Sequence, residues 1–218
     1  MAPMCEPVPP EFDSAFAAEF DRLLAWRRDV RRFRPDPLPP GMIAELVARA
    51  KLAPSVGNSQ PWRFVHVRET ARRQAVRAEF ERCNKAALAG YDGERAKAYA
   101  ELKLAGFDVA PEQLAVFCDM AEHKGHGLGR ATMPETLRHS VVCAVHTLWL
   151  AARVRGIGVG WVSIVEPDEV ARILDVPLPW SLVAYLCVGH PERSHDVPEL
   201  ERAGWQARDT DGAYLIER

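Results

Sequence analysis

Apolar side chains recur every three or four residues at Phe12, Phe16, Phe20, Leu23 and Leu24, a spacing that predicts an amphipathic helix ending near Trp26. The basic segment Arg27 to Arg34 follows, and the run Pro35 to Pro40 stops any helix, because proline lacks an amide donor and clashes with the preceding turn. A second helix is expected after Gly41, with Ile43, Leu46, Val47 and Ala50 on its buried face. Ala53 to Pro61 reads as a loop, since Pro54, Gly57 and Pro61 are poor interior residues for helix or strand. The pattern then alternates: Phe64 and His66 fall on one side of Arg63 to Val67, Val65 and Val67 on the other, as in a strand.

Thr70 to about Lys103 is helical but charged and irregular, broken near Gly90 to Gly93, and its polarity suggests a covering or mobile layer. Leu114 to Cys118 predicts a buried strand, and His123 to Arg130 a glycine-rich loop. Thr132 is the expected N-cap of a long central helix, with Pro134 and Glu135 in its first turn. Its inward stripe is Leu137, Val141, Val145, Leu148 and Ala152, and Gly156 closes it. A strand over Gly158 to Val165, a short helix over Asp168 to Leu174 and a strand over Leu182 to Val188 complete the pattern. Few strands separated by helices imply an α+β or α/β class around one central sheet. The polar tail beyond Gly189 ends in an apolar patch, Tyr214, Leu215 and Ile216, which is unusual for a monomer and suits pairing with a partner subunit.

Composition narrows the function classes. With 218 residues, 48% hydrophobic and 27% charged, the chain suits a single soluble domain spanning 1–218. A net charge of -2 argues against a general nucleic-acid binder, which needs a positive excess to displace counterions. The five cysteines show no C-x-x-C spacing and read mostly as small core residues in a reducing compartment. The proline-rich start carries no signal-like apolar segment, and Val141 to Val154 is too short and polar to span a bilayer. A cytoplasmic protein is expected, with no membrane partner.

Three segments carry candidate chemistry. Arg27 to Arg34 holds five arginines in eight residues, with Asp29 among them. Arginine forks suit phosphate oxygens, although a solvated helix end favoured by the helix dipole explains the run equally well. Pro54-Ser55-Val56-Gly57-Asn58-Ser59-Gln60-Pro61-Trp62 can present donors to a heteroaromatic edge or be an ordinary turn. Gly156 to Ser163 lets backbone approach a ligand or simply turns helix into strand; helix precedes strand there, the reverse of a dinucleotide fingerprint. His123 and His126 lack partners at a metal spacing, so no metal site is expected. His146 reads as a packed core histidine.

Taken together, an R-R-x-x-R segment followed by P-S-x-x-N-x-Q-P-W resembles the flavin-dependent nitroreductase family. The strings Gly125 to Thr136, Gly158 to Ser163, Leu114 to Asp119 and Tyr185 to Gly189 are similar to the branch of that family that makes 5,6-dimethylbenzimidazole, and so is aspartate at position 29 in place of the usual serine or threonine. The resemblance runs from about Arg27 to Trp205. It implies an α+β, nitroreductase-like three-layer fold with a central mixed sheet flanked by helices. It further implies a homodimer that exchanges its C-terminal arm, with FMN bound between subunits.

In that branch reduced FMN and molecular oxygen are substrates, and dimethylbenzimidazole, the lower ligand of cobalamin, and erythrose 4-phosphate are products. The resemblance implies catalytic roles for Asp29 and Ser163. It implies FMN contacts from Arg27, Arg28, Asp29, Val30, Arg31, Ser55, Asn58, Leu104, Trp161, Ser163 and Arg193. Residues 70–130 are the candidate lid. Burial and the neighbouring arginines should pull the Asp29 pKa in opposite directions. The source of reduced FMN is either a separate flavin reductase or NAD(P)H used directly. The alternative readings are an NAD(P)H-dependent nitroreductase or flavin reductase, and a non-catalytic flavin carrier.

Overall fold

The structure, a computed structural model, describes residues 8–101, 106–210, 212 and 214–218. Helices α1 (Ser14–Trp26) and α2 (Met42–Ala50) precede strand β1 (Trp62–His66). Three helices follow, α3 (Thr70–Leu88), α4 (Gly93–Glu101) and α5 (Gly106–Val109), then β2 (Glu112–Asp119) and the long helix α6 (Thr136–Val154). The remainder is β3 (Gly158–Val162), α7 (Pro167–Leu174), β4 (Trp180–Gly189) and α8 (Glu199–Arg202).

The strands lie in the order β1-β2-β4-β3, every neighbouring pair antiparallel. The parallel component of the expected mixed sheet is confined to an isolated bridge between Asp29 and Val159. Alternation along β2 builds three layers. Leu114, Val116 and Cys118 face α2 and α6, while Ala115 and Phe117 face the layer containing α3 and α7. An irregularity between Val116 and Phe117 pairs Val116 with Ala184 and Phe117 with Leu182, skipping one residue on β4. Without that skip, β4 would present Leu182 and Ala184 to the same face.

Helix α6 is central because its predicted stripe is real. Val141, Val145, Leu148 and Ala152 are fully buried, and burying a residue such as Leu148 contributes roughly 1.5–3 kcal/mol. Helix α3 is the covering layer its polarity suggested, yet Val76 and Phe80 enter the second core. At the start of α1, the Asp13 side chain accepts from the Phe16 amide at 2.8 Å, a strong cap. The helix nonetheless buries no residue fully: Phe16, Phe20, Leu24 and Trp26 stay exposed, as does Phe12 just before it.

Several expectations are corrected. Helix α6 begins at Thr136, not just after Thr132, because Ala131 and Met133 bond back to the carbonyls of Gly127 and Gly129 in a chain of turns. Glycines 125, 127 and 129 there take positive φ, and Gly125 packs so tightly on Gly57 that a Cβ would lie 2.6 Å from its carbonyl oxygen. Gly125 therefore serves backbone-to-backbone packing, while Gly129 sits against the Val56 side chain. Strand β3 ends at Val162, since the following chain swings towards α3, where the Glu166 amide donates to Glu79 Oε1 at 3.1 Å. His146 lies on the exposed side of α6, one position off the buried stripe. Of the cysteines, Cys118 and Cys187 are buried, Cys83 is half-buried, Cys143 is exposed and Cys5 lies outside the described residues. The short helices α5 and α8 had no sequence signal.

Candidate active site

Arg27 to Arg34 is not a solvated helix end. The Arg27 amide still bonds to the Leu23 carbonyl at 2.9 Å, but its backbone is already extended, and the next residues run along β3. Val30 N donates to Val159 O at 3.0 Å, Arg34 N to His190 O at 2.8 Å, and Glu192 N to Arg32 O at 3.1 Å. Phe33, almost fully buried, anchors this strap in the second core. The strap fits only because β3 carries glycines beneath it. A Cβ on Gly158 would lie 2.8 Å from Val30 Cγ2, and one on Gly160 would collide with the Val30 carbonyl oxygen. The close approach that these glycines permit is made by the protein's own strap.

Above the strap opens a cleft of about 440 Å³, walled by Trp149 and Arg153 of α6, the start of β3 and the segment 192–203. Arg27, Arg28, Asp29, Val30, Arg31 and Arg193 all line it. Arg32, Arg153 and Arg202 join them, so seven arginines face three carboxylates, Asp29, Glu192 and Glu199. Such an excess of forked donors fits a multiply charged anion. The Arg27 guanidinium lies 4.8 Å above the Trp149 ring. Burial lowers the pKa of Arg27 and of Arg28, and the charge of Arg208 pushes both the same way. An anion in the cleft would relieve that stress.

Asp29 sits at the floor. Its Oδ1 accepts from the Trp161 amide at 2.8 Å, and its Oδ2 lies 3.4 Å from Arg31 Nε. The side chain remains 37% exposed, facing the cleft. Burial among the surrounding atoms pushes its carboxyl above the ordinary range, outweighing the Trp161 bond and the Arg31 charge that pull it down. The opposition left open by sequence thus falls to burial. A carboxyl with raised proton affinity beside an anion cleft is a candidate proton donor and acceptor.

The other expected residues lie elsewhere. Trp161 contributes its amide to Asp29 and packs its ring 6.3 Å from Trp149. Ser163 is exposed immediately past the end of β3. Leu104 is outside the described residues. Ser55 and Asn58 occupy a tight turn at the opposite end of α6: the Val56 amide donates to Ser140 Oγ at 3.0 Å, and the Gln60 amide to Ser55 Oγ at 3.1 Å. From Ser140 to Trp149 the helix rises about 14 Å. The turn also precedes β1, at the sheet edge away from β3. One chain therefore does not bring Ser55 and Asn58 into the arginine cleft.

Sequence reasoning missed Trp149, Arg153, Glu192, Glu199 and Arg202. The first two each follow a residue of the predicted stripe, Leu148 and Ala152; Trp149 is itself buried, while Arg153 lies at the cleft. Two buried polar atoms, Trp149 Nε1 and Ser59 Oγ, find no hydrogen-bond partner among the described residues.

A family model, the nitroreductase family, matches residues 24–190. The chain belongs to the nitroreductase family. Within it, the chain is 60% identical over 199 residues to a 5,6-dimethylbenzimidazole synthase of Rhodospirillum rubrum, covering 91% of this chain and 94% of that protein. It is 50% identical over 195 residues to a protein of the same name from Rhodobacter capsulatus, covering 89% of this chain and 94% of that one. Among solved structures, an oxidised iodotyrosine deiodinase bound to FMN and 3-iodo-L-tyrosine superposes with a TM-score of 0.71 at 24% identity, over 90% of this chain and 99% of that one. That likeness carries the fold alone. Among the described residues no helix is long and apolar enough to cross a membrane.

Proposed function

We propose that this chain is a 5,6-dimethylbenzimidazole synthase, which takes reduced FMN and molecular oxygen to dimethylbenzimidazole and erythrose 4-phosphate. The observation that carries the reading is the placement of Asp29, on the floor of an arginine cleft with its Oδ1 held by the Trp161 amide. The extent of identity to the two synthases supports it.

The donor set fits the nucleotide. Arg27, Arg28, Arg31 and Arg193 hold the phosphate, and Val30 supplies backbone beside it. When bound, reduced FMN supplies both the electrons that reach oxygen and the carbon skeleton that leaves as the base. Asp29 holds or delivers a proton at the carbon chain next to the ring, a role that typically contributes about a hundredfold to ten-thousandfold in rate. Ser163 donates to the ring, two residues past the amide that fixes Asp29.

At about 440 Å³ the cleft lies near the lower end of the range for small-molecule sites, about 300–1,000 Å³. It suits the phosphate end better than the whole nucleotide. The ring edge then falls to Ser55 and Asn58 of a second copy. Two observations favour such a homodimer: the exposed aromatic face of α1, and exposed Val142 and Val154 on the central helix α6. Exchange of the tail bearing Tyr214, Leu215 and Ile216 belongs to the same reading. The lid narrows from 70–130 to the hairpin containing α4, because Val76 and Phe80 are core residues. Its role is to exclude water and so suppress wasteful return of electrons to oxygen. Cytoplasmic location, and reduction of FMN either by NAD(P)H here or by a separate flavin reductase, complete the proposal.

The test is direct. Reduced FMN is mixed with the pure protein in air and the products are resolved by chromatography. The synthase yields dimethylbenzimidazole with stoichiometric loss of flavin; intact oxidised FMN alone, as a nitroreductase or flavin carrier would return, rejects the reading.

A further inference from the structure

The wall of the cleft is fastened at both ends. At the near end, Arg28 Nε donates to the Asp196 carbonyl at 2.6 Å and Arg32 pairs with Glu199 at 3.8 Å. Past the end of α8 at Arg202, Gly204, with φ of +70, turns the chain back, and the Trp205 amide bonds to the Leu200 carbonyl at 2.8 Å. That turn presents the Trp205 ring to two tyrosines of the α3–α4 hairpin. Tyr91 meets it edge-on at 5.6 Å between centroids, Tyr99 lies tilted at 6.2 Å, and the tyrosines stack on each other at 5.0 Å. Tyr99 is itself tied to α3, its hydroxyl donating to Asn84 Oδ1 at 2.8 Å. The hairpin around this cluster is otherwise charged, with Arg95 and Lys97 exposed.

We propose that Trp205 is a positioning residue for the cleft: it latches the 196–203 wall to the α3–α4 hairpin through Tyr91 and Tyr99. Ordering of the wall around an anion and seating of the hairpin then become one event. The physical basis is connectivity. The wall touches the arginine strap on one side and the three-ring cluster on the other, with only α8 and its closing turn between. An anion that draws Arg28 and Arg32 inward acts on the carbonyl and carboxylate that hold α8. Aromatic pairs are short-range and orientation-dependent, so a shift of α8 is felt at Tyr91 and Tyr99. The inference rests on the cleft taking the FMN phosphate, and extends that reading to residues that do not line the cleft, Trp205, Tyr91 and Tyr99.

The experiment uses the full-length protein, FMN binding by fluorescence titration, and limited trypsin digestion at Arg95 and Lys97. In the wild type FMN should slow cleavage at both sites. In Trp205→Ala that slowing should disappear and the FMN Kd should rise about tenfold, while Trp205→Phe restores most of both. Tyr91→Leu, which breaks the latch from the hairpin side, should reproduce the loss and decides the matter alone if Trp205→Ala does not fold. Equal FMN protection of Arg95 and Lys97 in wild type and Tyr91→Leu overturns the latch, as does a wild type that binds FMN without protecting the hairpin. A wild type that does not bind FMN at all overturns the cleft assignment and the latch with it.

Discussion

Arg63 holds Asp119 and Glu122, Arg31 approaches Asp29, and the pKa values of Glu122 and Asp29 are pushed in opposite directions. Arg63 reaches Asp119 at 2.8 Å and Glu122 at 2.7 Å with one guanidinium nitrogen, and the Lys124 amide adds a bond to Glu122 at 3.0 Å. These bonds pull Glu122 from its ordinary 4.5 down to about 2. Arg31 approaches Asp29 only at 3.4 Å, the carboxylate has one backbone donor, and burial pushes it up. Lys124 Nζ lies 3.8 Å from Glu122 as well, so two cations, Arg63 and Lys124, face two carboxylates, Asp119 and Glu122. In the cleft, arginines outnumber carboxylates and burial pushes the Asp29 carboxyl above the ordinary carboxylate range. The first arrangement holds an edge of the sheet in place. The second leaves positive charge in excess over a cleft, the kind of imbalance that accompanies an anion-binding site.

The contrast is broken most severely at Asp29. Asp29→Asn should keep FMN affinity within about twofold yet lower dimethylbenzimidazole yield by about a hundredfold to ten-thousandfold, as fluorescence titration and chromatography would read. Normal product from that variant would remove the carboxyl from the chemistry. Arg28→Met should weaken FMN binding by about tenfold to a hundredfold, the worth of a charge-assisted bond, with the yield restored at saturating FMN. Arg63→Met should do the reverse. It should cost about 1–3 kcal/mol in urea unfolding, because Glu122 loses its partner, while product formed per folded molecule is unchanged.

The smallest effect sharpens the contrast through pH. The Glu122 pKa is depressed in the folded state, so its stabilisation is complete above 4.5 and is lost as pH falls towards about 2. Asp29 has the opposite sign. Its folded pKa is raised, so its ionisation weakens the ligand-free fold as pH climbs through that value. The urea midpoint of Glu122→Gln should therefore fall less steeply below pH 4.5 than that of the wild type. Asp29→Asn should be more stable than the wild type at neutral pH. A pH profile of Glu122→Gln identical to that of the wild type would show that the matched cluster contributes nothing.

Much of the fold was legible because periodicity reports burial. Leu137, Val141, Val145, Leu148 and Ala152 announced α6, and Leu114 to Cys118 announced β2, since one stripe or a continuous apolar run must be covered on folding. The arginine strap was legible as chemistry but not as structure. Five arginines around one aspartate suggest an anion, but nothing in the spacing says that the segment runs extended over Gly158 and Gly160. Trp149 and Glu199 were invisible as site residues, being an ordinary helix residue and an ordinary tail residue until the fold brings them to the cleft.

Sequence by itself determined which faces of α6 and β2 are buried, because hydrophobic spacing is a property of neighbours along the chain; the family and the interest of Asp29 came from the resemblance of its motifs to the nitroreductases. Tertiary structure decided the state of that carboxylate and the partition of the site. Whether burial or Arg31 governs Asp29 depends on distances between residues 29, 31 and 161, which no local pattern encodes. That Ser55 and Asn58 stand at the far end of α6 from Arg27 depends on which end of a helix each segment meets, and only the packed chain fixes that.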